Sequence, residues 1–172
     1  MPAVPGAVED PSSLETAEVS FTGFDRDELN GYLAVPASDE LRPGLIVIHE
    51  AFGLNDHICD VARRFAAQGY TVLAPDLYTR EGAPGEDWEQ IKAKMQKMPD
   101  KRIVGDLEGA AAFLRVRPEA TGKVGCIGFC SGGRQTLLFA CSSDAPDAAV
   151  DCWGGSITRA TTCSQPGMID SG

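Results

Sequence analysis

No run of Lys and Arg in this 172-residue chain is longer than a pair, and acidic residues outnumber basic ones 25 to 15, for a net charge of -10. A nucleic acid or an anionic membrane surface would need the basic patch that is missing, so neither is expected as a partner. No apolar stretch is long enough to span a bilayer. Residues Met1 to Asp25 hold no apolar run of signal-peptide length either. The six cysteines, at 59, 126, 130, 141, 152 and 163, include no CxxC pair. Without that spacing a zinc site is not expected, and no metal or cofactor is implied. Most of these cysteines fall within apparent strands and helices, which reads as the reduced thiols of a cytoplasmic protein. Histidine is scarce: His49 and His57 are the only two.

What is present fits one domain, since 172 residues at 43% apolar content can bury a real core. Residues 1–14, with three prolines and several acids, read as a loose leader. Thr16 to Phe21 and Gly31 to Val35 read as an antiparallel hairpin joined through Asp25-Arg26-Asp27-Glu28. Gly44 to His49 is apolar up to its last residue, as expected of a central strand covered on both faces. Asn55 or Asp56 can cap a helix with Ile58, Val61, Ala62, Phe65 and Ala66 on one face, stopped by Gly69. A strand over Tyr70 to Ala74 follows, then a polar excursion over 79–99. The period predicts a helix from about Asp100 to Arg115, packed through Ile103, Val104, Leu107, Ala111 and Leu114. Lys123 to Ile127 and Ala148 to Trp153 read as two more strands, and 154–172 as an aperiodic tail. Alternating strands and helices predict an α/β fold with a mostly parallel sheet and an N-terminal antiparallel hairpin.

The chemistry concentrates between the strand at Lys123 to Ile127 and the helix-like Arg134 to Ala140. Gly128-Phe129-Cys130-Ser131-Gly132-Gly133 has the pattern of a nucleophile elbow, a strained strand-to-helix turn in which glycines let backbone approach on both sides of one exposed side chain. Here that side chain is a thiol. At a helix N-terminus the free N–H groups and partial positive charge favour its anion. The bland reading is a buried cysteine in a glycine-rich turn. An elbow of this kind takes one oxyanion donor from the residue after the nucleophile, Ser131, and another from the loop after the third strand, for which Ala51 is the candidate.

Taken together, His49-Glu50-Ala51-Phe52-Gly53-Leu54-Asn55, Ala74-Pro75-Asp76-Leu77-Tyr78 and the elbow hexapeptide resemble the dienelactone hydrolases, over about residues 15–153. The resemblance implies an α/β-hydrolase fold and a Cys-His-Asp triad that opens an enol-lactone ring, carboxymethylenebutenolidase chemistry giving maleylacetate, with a small lactone or ester as substrate. Carried over, Cys130 is the nucleophile and Glu50 the carboxylate that meets the thiol and helps ionise it. Arg80, in Tyr78-Thr79-Arg80, matches an arginine that holds the substrate carboxylate. Against these stand plainer readings: Glu50 as a solvated loop acid and Arg80 as a surface charge. His49 and His57 match no catalytic position and read as structural.

The departure from the pattern lies after the elbow. The family's acid and histidine follow the nucleophile, yet no histidine follows Cys130, and Asp151 and Asp170 do not follow the further strand that the triad aspartate requires. The fold is therefore expected to be cut short after its sixth strand, with 15–153 forming the N-terminal two-thirds of the domain. Such a chain is expected to be unfolded, molten or aggregated unless another chain covers its sheet. Three functions compete: a lactone or ester hydrolase, a catalytically dead member that at most binds, and a thiol redox protein. The last lacks a partner thiol at CxxC spacing, since Cys126 lies on the preceding strand.

Overall fold

The computed structural model describes residues 8 and 10–155. Six strands, β1 (Leu14–Thr22), β2 (Glu28–Pro36), β3 (Arg42–Ile48), β4 (Thr71–Pro75), β5 (Ala120–Phe129) and β6 (Ala148–Cys152), form one sheet in the order β1-β2-β4-β3-β5-β6. β1 pairs antiparallel with β2, and β2 with β4; the β4-β3-β5-β6 half is parallel. Four helices join them: α1 (Asp56–Ala66), α2 (Trp88–Met95), α3 (Asp100–Arg115) and α4 (Ser131–Ser142).

Side-chain alternation in β3 explains how the sheet is covered. Leu45 and Val47 point into a core with Ile58, Ala62 and Ala66 of α1. Ile46 and Ile48 point the other way, into a larger core with Ile103, Leu107 and Leu114 of α3 and Phe139 of α4. A strand buried on both faces needs apolar residues at every position, which is why this run lacks the polar alternation of a half-exposed strand. α1 starts where expected, Asn55 Oδ1 accepting the Ile58 N–H at 3.1 Å.

Several boundaries differ from the sequence reading. β1 opens at Leu14, inside the stretch read as leader, after a short 3-10 turn at Pro11–Ser13 whose first N–H groups are held by Asp10. The elbow helix begins at Ser131, directly after Cys130, because the glycines that weaken helix propensity here are packed against neighbouring backbone. Trp153 lies outside β6, its φ of 51° taking it off the strand. β6 is mostly exposed, with Val150 at 51%. Residues 1–7 and 9 of the expected leader, and the tail from 156 on, lie outside the described residues.

Candidate active site

β5 runs into Cys130 at φ 55°, ψ -116°, and α4 starts on the next residue. A non-glycine residue in such a conformation costs about 1–3 kcal/mol and persists only where its surroundings impose it. They do so through close approaches that only glycine permits. A Cβ on Gly128 would stand 2.1 Å from the Gly132 carbonyl oxygen, and one on Gly132 would stand 2.4 Å from that of Ile48. The backbone is further tied by the Cys130 N–H, which donates to the Cys152 carbonyl at 3.0 Å, and by the Arg134 N–H, which donates to the Cys130 carbonyl at 3.3 Å. The thiol is left exposed at the N-terminus of α4.

The approach of Gly132 to Ile48 and His49 sets the loop after β3 against the elbow. That loop is pinned from beneath. Leu77 N–H donates to His49 Nε2 at 3.2 Å, so the ring's proton resides on Nδ1, which donates to the Glu50 carbonyl at 2.6 Å. The imidazole is buried and stacks on Tyr78 with centroids 5.3 Å apart. Burial pushes its pKa down, which keeps it neutral. Tyr78 in turn donates its hydroxyl to the Ala51 carbonyl at 3.0 Å. Burial, with the charges of Glu81 and Asp76 adding to it, pushes that phenol up to about 12, so it remains a donor. Neither the Ala51 N–H nor the Ser131 N–H donates to any described residue, and both belong to segments that meet at the elbow.

Glu50 is half-buried on the same loop, but no hydrogen bond joins its carboxylate to the Cys130 thiol. Arg80 is engaged elsewhere. Its Nε donates to Asp27 Oδ2 at 2.6 Å, Nη1 to Asp106 Oδ2 at 2.8 Å, and Nη2 to Asp106 Oδ1 at 3.0 Å and the Phe24 carbonyl at 3.3 Å. The bidentate contact with Asp106 raises its pKa, with Asp27 contributing. The guanidinium expected to hold a substrate carboxylate thus clamps the β1–β2 turn to α3, because two protein carboxylates reach it first.

Two further residues position the site without a signal in the local pattern. The Asp106 side chain is 2% exposed and also accepts the Phe24 N–H at 2.9 Å. It lies three residues after Ile103 on the buried stripe of α3, and an acid there demands a buried cation. Asp100, the first residue of α3, receives both Nη atoms of Arg134 at 3.1 and 3.0 Å, joining that helix to the first turn of α4. No described histidine bonds to the thiol: His49 has both nitrogens occupied, and His57 is exposed on α1. Among the described residues no group of three or more His, Cys, Asp or Glu could hold a metal ion, and no helix is long and apolar enough to cross a membrane.

The profile of the dienelactone hydrolase family matches residues 29–168. A Salmonella typhi protein, inferred to be a carboxymethylenebutenolidase, is 34% identical over 170 residues, 96% of this chain and 62% of its own length. The carboxymethylenebutenolidase of Pseudomonas putida is 31% identical over 147 residues, covering 81% of this chain and 61% of that protein. A crystal structure of an inferred dienelactone hydrolase from Klebsiella pneumoniae superposes with a TM-score of 0.75 at 33% identity, covering 82% of this chain and 60% of that one. The chain therefore spans about three-fifths of the length of these relatives.

Proposed function

The chain belongs to the dienelactone hydrolase family, and from that premise we propose that it acts on lactones or small carboxylic esters through Cys130. The observation that carries this reading is the strained, exposed cysteine at φ 55° that begins α4, beside two backbone N–H groups without described partners. The thiolate attacks the ester carbonyl carbon. The negative charge that develops on the carbonyl oxygen is met by the N–H groups of Ala51 and Ser131, and expulsion of the alkoxide leaves an acyl-thioester on Cys130. Glu50, on the same loop as Ala51, turns onto the thiol and takes up its proton. Free cysteines throughout the described residues accord with a reducing, cytoplasmic setting.

The positions of the two histidines favour a second reading for this chain, in which acylation occurs but turnover does not. Hydrolysis of the thioester needs a base to activate water, and neither His49 nor His57 is hydrogen-bonded to Cys130. The chain would then bind and capture an acyl group once. A chromogenic activated ester distinguishes the outcomes: a burst of one product per chain with the acyl group mapped to Cys130 supports the nucleophile, and a steady rate after the burst supports a complete hydrolase. Absence of any Cys130 adduct would remove the thiol from both.

A further inference from the structure

The parallel pairing of β5 with β6 brings to the nucleophile a second cysteine that lies 22 positions away in sequence. Phe129 is the register partner of Cys152, and the Cys130 N–H donates to the Cys152 carbonyl at 3.0 Å. Neighbouring strands lie about 4.7–4.9 Å apart in the hydrogen-bonding direction, which brings the two backbones within reach of the Cα separation of about 4.4–6.8 Å that a disulfide spans. Cys152 is partly exposed and Cys130 exposed, which leaves both open to solvent reagents.

The other described cysteines do not compete for this role. Cys126, three residues before the end of β5, donates its thiol to the Ala148 carbonyl at 3.7 Å, and burial pushes its pKa up to about 12. Cys141 lies near the far end of α4, roughly 15 Å along the axis at about 1.5 Å per residue. Cys59 is on α1, against the core on the opposite side of the sheet from α3 and α4.

We propose that Cys130 and Cys152 form a peroxide-responsive pair in which Cys152 resolves the sulfenic acid formed on Cys130. In the first step the Cys130 thiolate attacks one peroxide oxygen; the S–O bond forms, the O–O bond breaks, and the second oxygen leaves as hydroxide, which is protonated to water. In the second, the Cys152 thiolate attacks the Cys130 sulfur, the S–S bond forms and the S–O bond breaks, releasing hydroxide that takes up a proton. Two thiols and one hydrogen peroxide thus give one disulfide and two waters. The disulfide occupies the nucleophile and spares it from further oxidation to the sulfinic acid. This pairing uses the exposure and proximity of the thiols and does not depend on acyl transfer.

The test is a disulfide map of the 172-residue chain after brief exposure to hydrogen peroxide, alkylation of residual thiols and tryptic digestion without reductant. Cleavage after Arg134 places Cys130 and Cys152 on separate peptides, and fragment ions separate Cys130 from Cys126 and Cys152 from Cys141. The expected product is a reductant-sensitive Cys130–Cys152 crosslink. In Cys152→Ser the crosslink disappears and Cys130 instead gains two oxygens at the same peroxide dose, whereas Cys141→Ser retains the crosslink. Crosslinking of Cys130 to Cys126, Cys141 or Cys163, or equal accumulation of sulfinic acid in wild type and Cys152→Ser, overturns the proposal. The readout is a mass, so a chain that forms the disulfide but never becomes acylated refutes only the ester reading.

Discussion

His49 Nε2 accepts the Leu77 N–H at 3.2 Å, and this one bond turns two motifs 28 residues apart into a single unit. Through Nδ1 the same ring holds the Glu50 carbonyl, so the loop bearing Ala51 is fixed to the exit of β4. Replacing the ring removes both bonds and leaves buried backbone groups without partners, at about 1–3 kcal/mol each, in addition to the void. His49→Ala is therefore expected to destabilise the chain by roughly 3–5 kcal/mol in denaturant unfolding. It should also slow acylation of Cys130 in conditions where the variant remains folded.

The same ring gives stability a pH dependence with a definite sign. Burial holds its folded-state pKa below the ordinary 6.5. Once the pH drops below about 6.5, the unfolded chain binds the proton that the folded ring refuses, so stability is complete above that value and declines as pH falls toward 5. Thermal midpoints measured from pH 8 to 5 should fall in that window for wild type and fall less for His49→Gln, whose amide can still donate and accept. Parallel slopes would mean that His49 is not held neutral.

Asp27 and Asp106 both bind Arg80, yet their loss should differ. The Asp106 side chain is 2% exposed, and Asp106→Ala strands the guanidinium and the Phe24 N–H, an expected cost of about 3–5 kcal/mol. The Asp27 side chain is 54% exposed, and Asp27→Ala should cost under about 1 kcal/mol. Arg80→Gln adds a functional readout: with the clamp as its role, acylation by anionic and neutral esters declines together, whereas a selective loss with the anionic ester would restore the arginine to substrate binding.

Periodicity carried much of the architecture. The continuous apolar run ending at His49 announced a doubly covered strand, and the bounds expected for the Asp100 to Arg115 helix are those of α3. The G-x-C-x-G spacing was legible because its cause is local, the glycines being required by contacts within the turn and with β3. Arg80 with Asp106, Arg134 with Asp100 and Cys130 with Cys152 were not legible. Each pair depends on which strands lie side by side and which helix faces pack together, and hydrophobic spacing along the chain does not encode those choices. Arg80 shows the consequence: the motif drew attention to the residue, and only the fold revealed the buried acid that occupies it.

Gly132 is where the elbow and the Ala51 loop meet, and a methyl group there should separate them. The added Cβ would lie 2.4 Å from the Ile48 carbonyl oxygen and 2.6 Å from that of His49, both backbone atoms with little room to move. Gly132→Ala should therefore lower stability by several kcal/mol, on the order of 3 or more, and abolish rapid modification of Cys130. Gly125→Ala is the control on the same strand and helix unit, because its Cβ would meet its nearest neighbour at an ordinary 3.6 Å. Its stability should stay within about 0.5 kcal/mol of wild type.

The thiols themselves should rank by environment. Cys130 is exposed at the N-terminus of α4, the kind of position at which reactive cysteines are found. Cys126 is buried and its pKa is raised to about 12, and burial also raises that of Cys59, so both present little thiolate near neutral pH. Cys141 is exposed at the opposite end of α4, away from the elbow. Limiting iodoacetamide at pH 7 should accordingly label Cys130 first, Cys141 later and Cys126 only on unfolding, as read by mass of the tryptic peptides. Glu50→Gln should alter how the Cys130 rate varies with pH while Asp56→Asn, on the exposed first turn of α1, leaves it unchanged; identical profiles would take Glu50 out of the site, and Cys141 reacting ahead of Cys130 would take the elbow out of the mechanism.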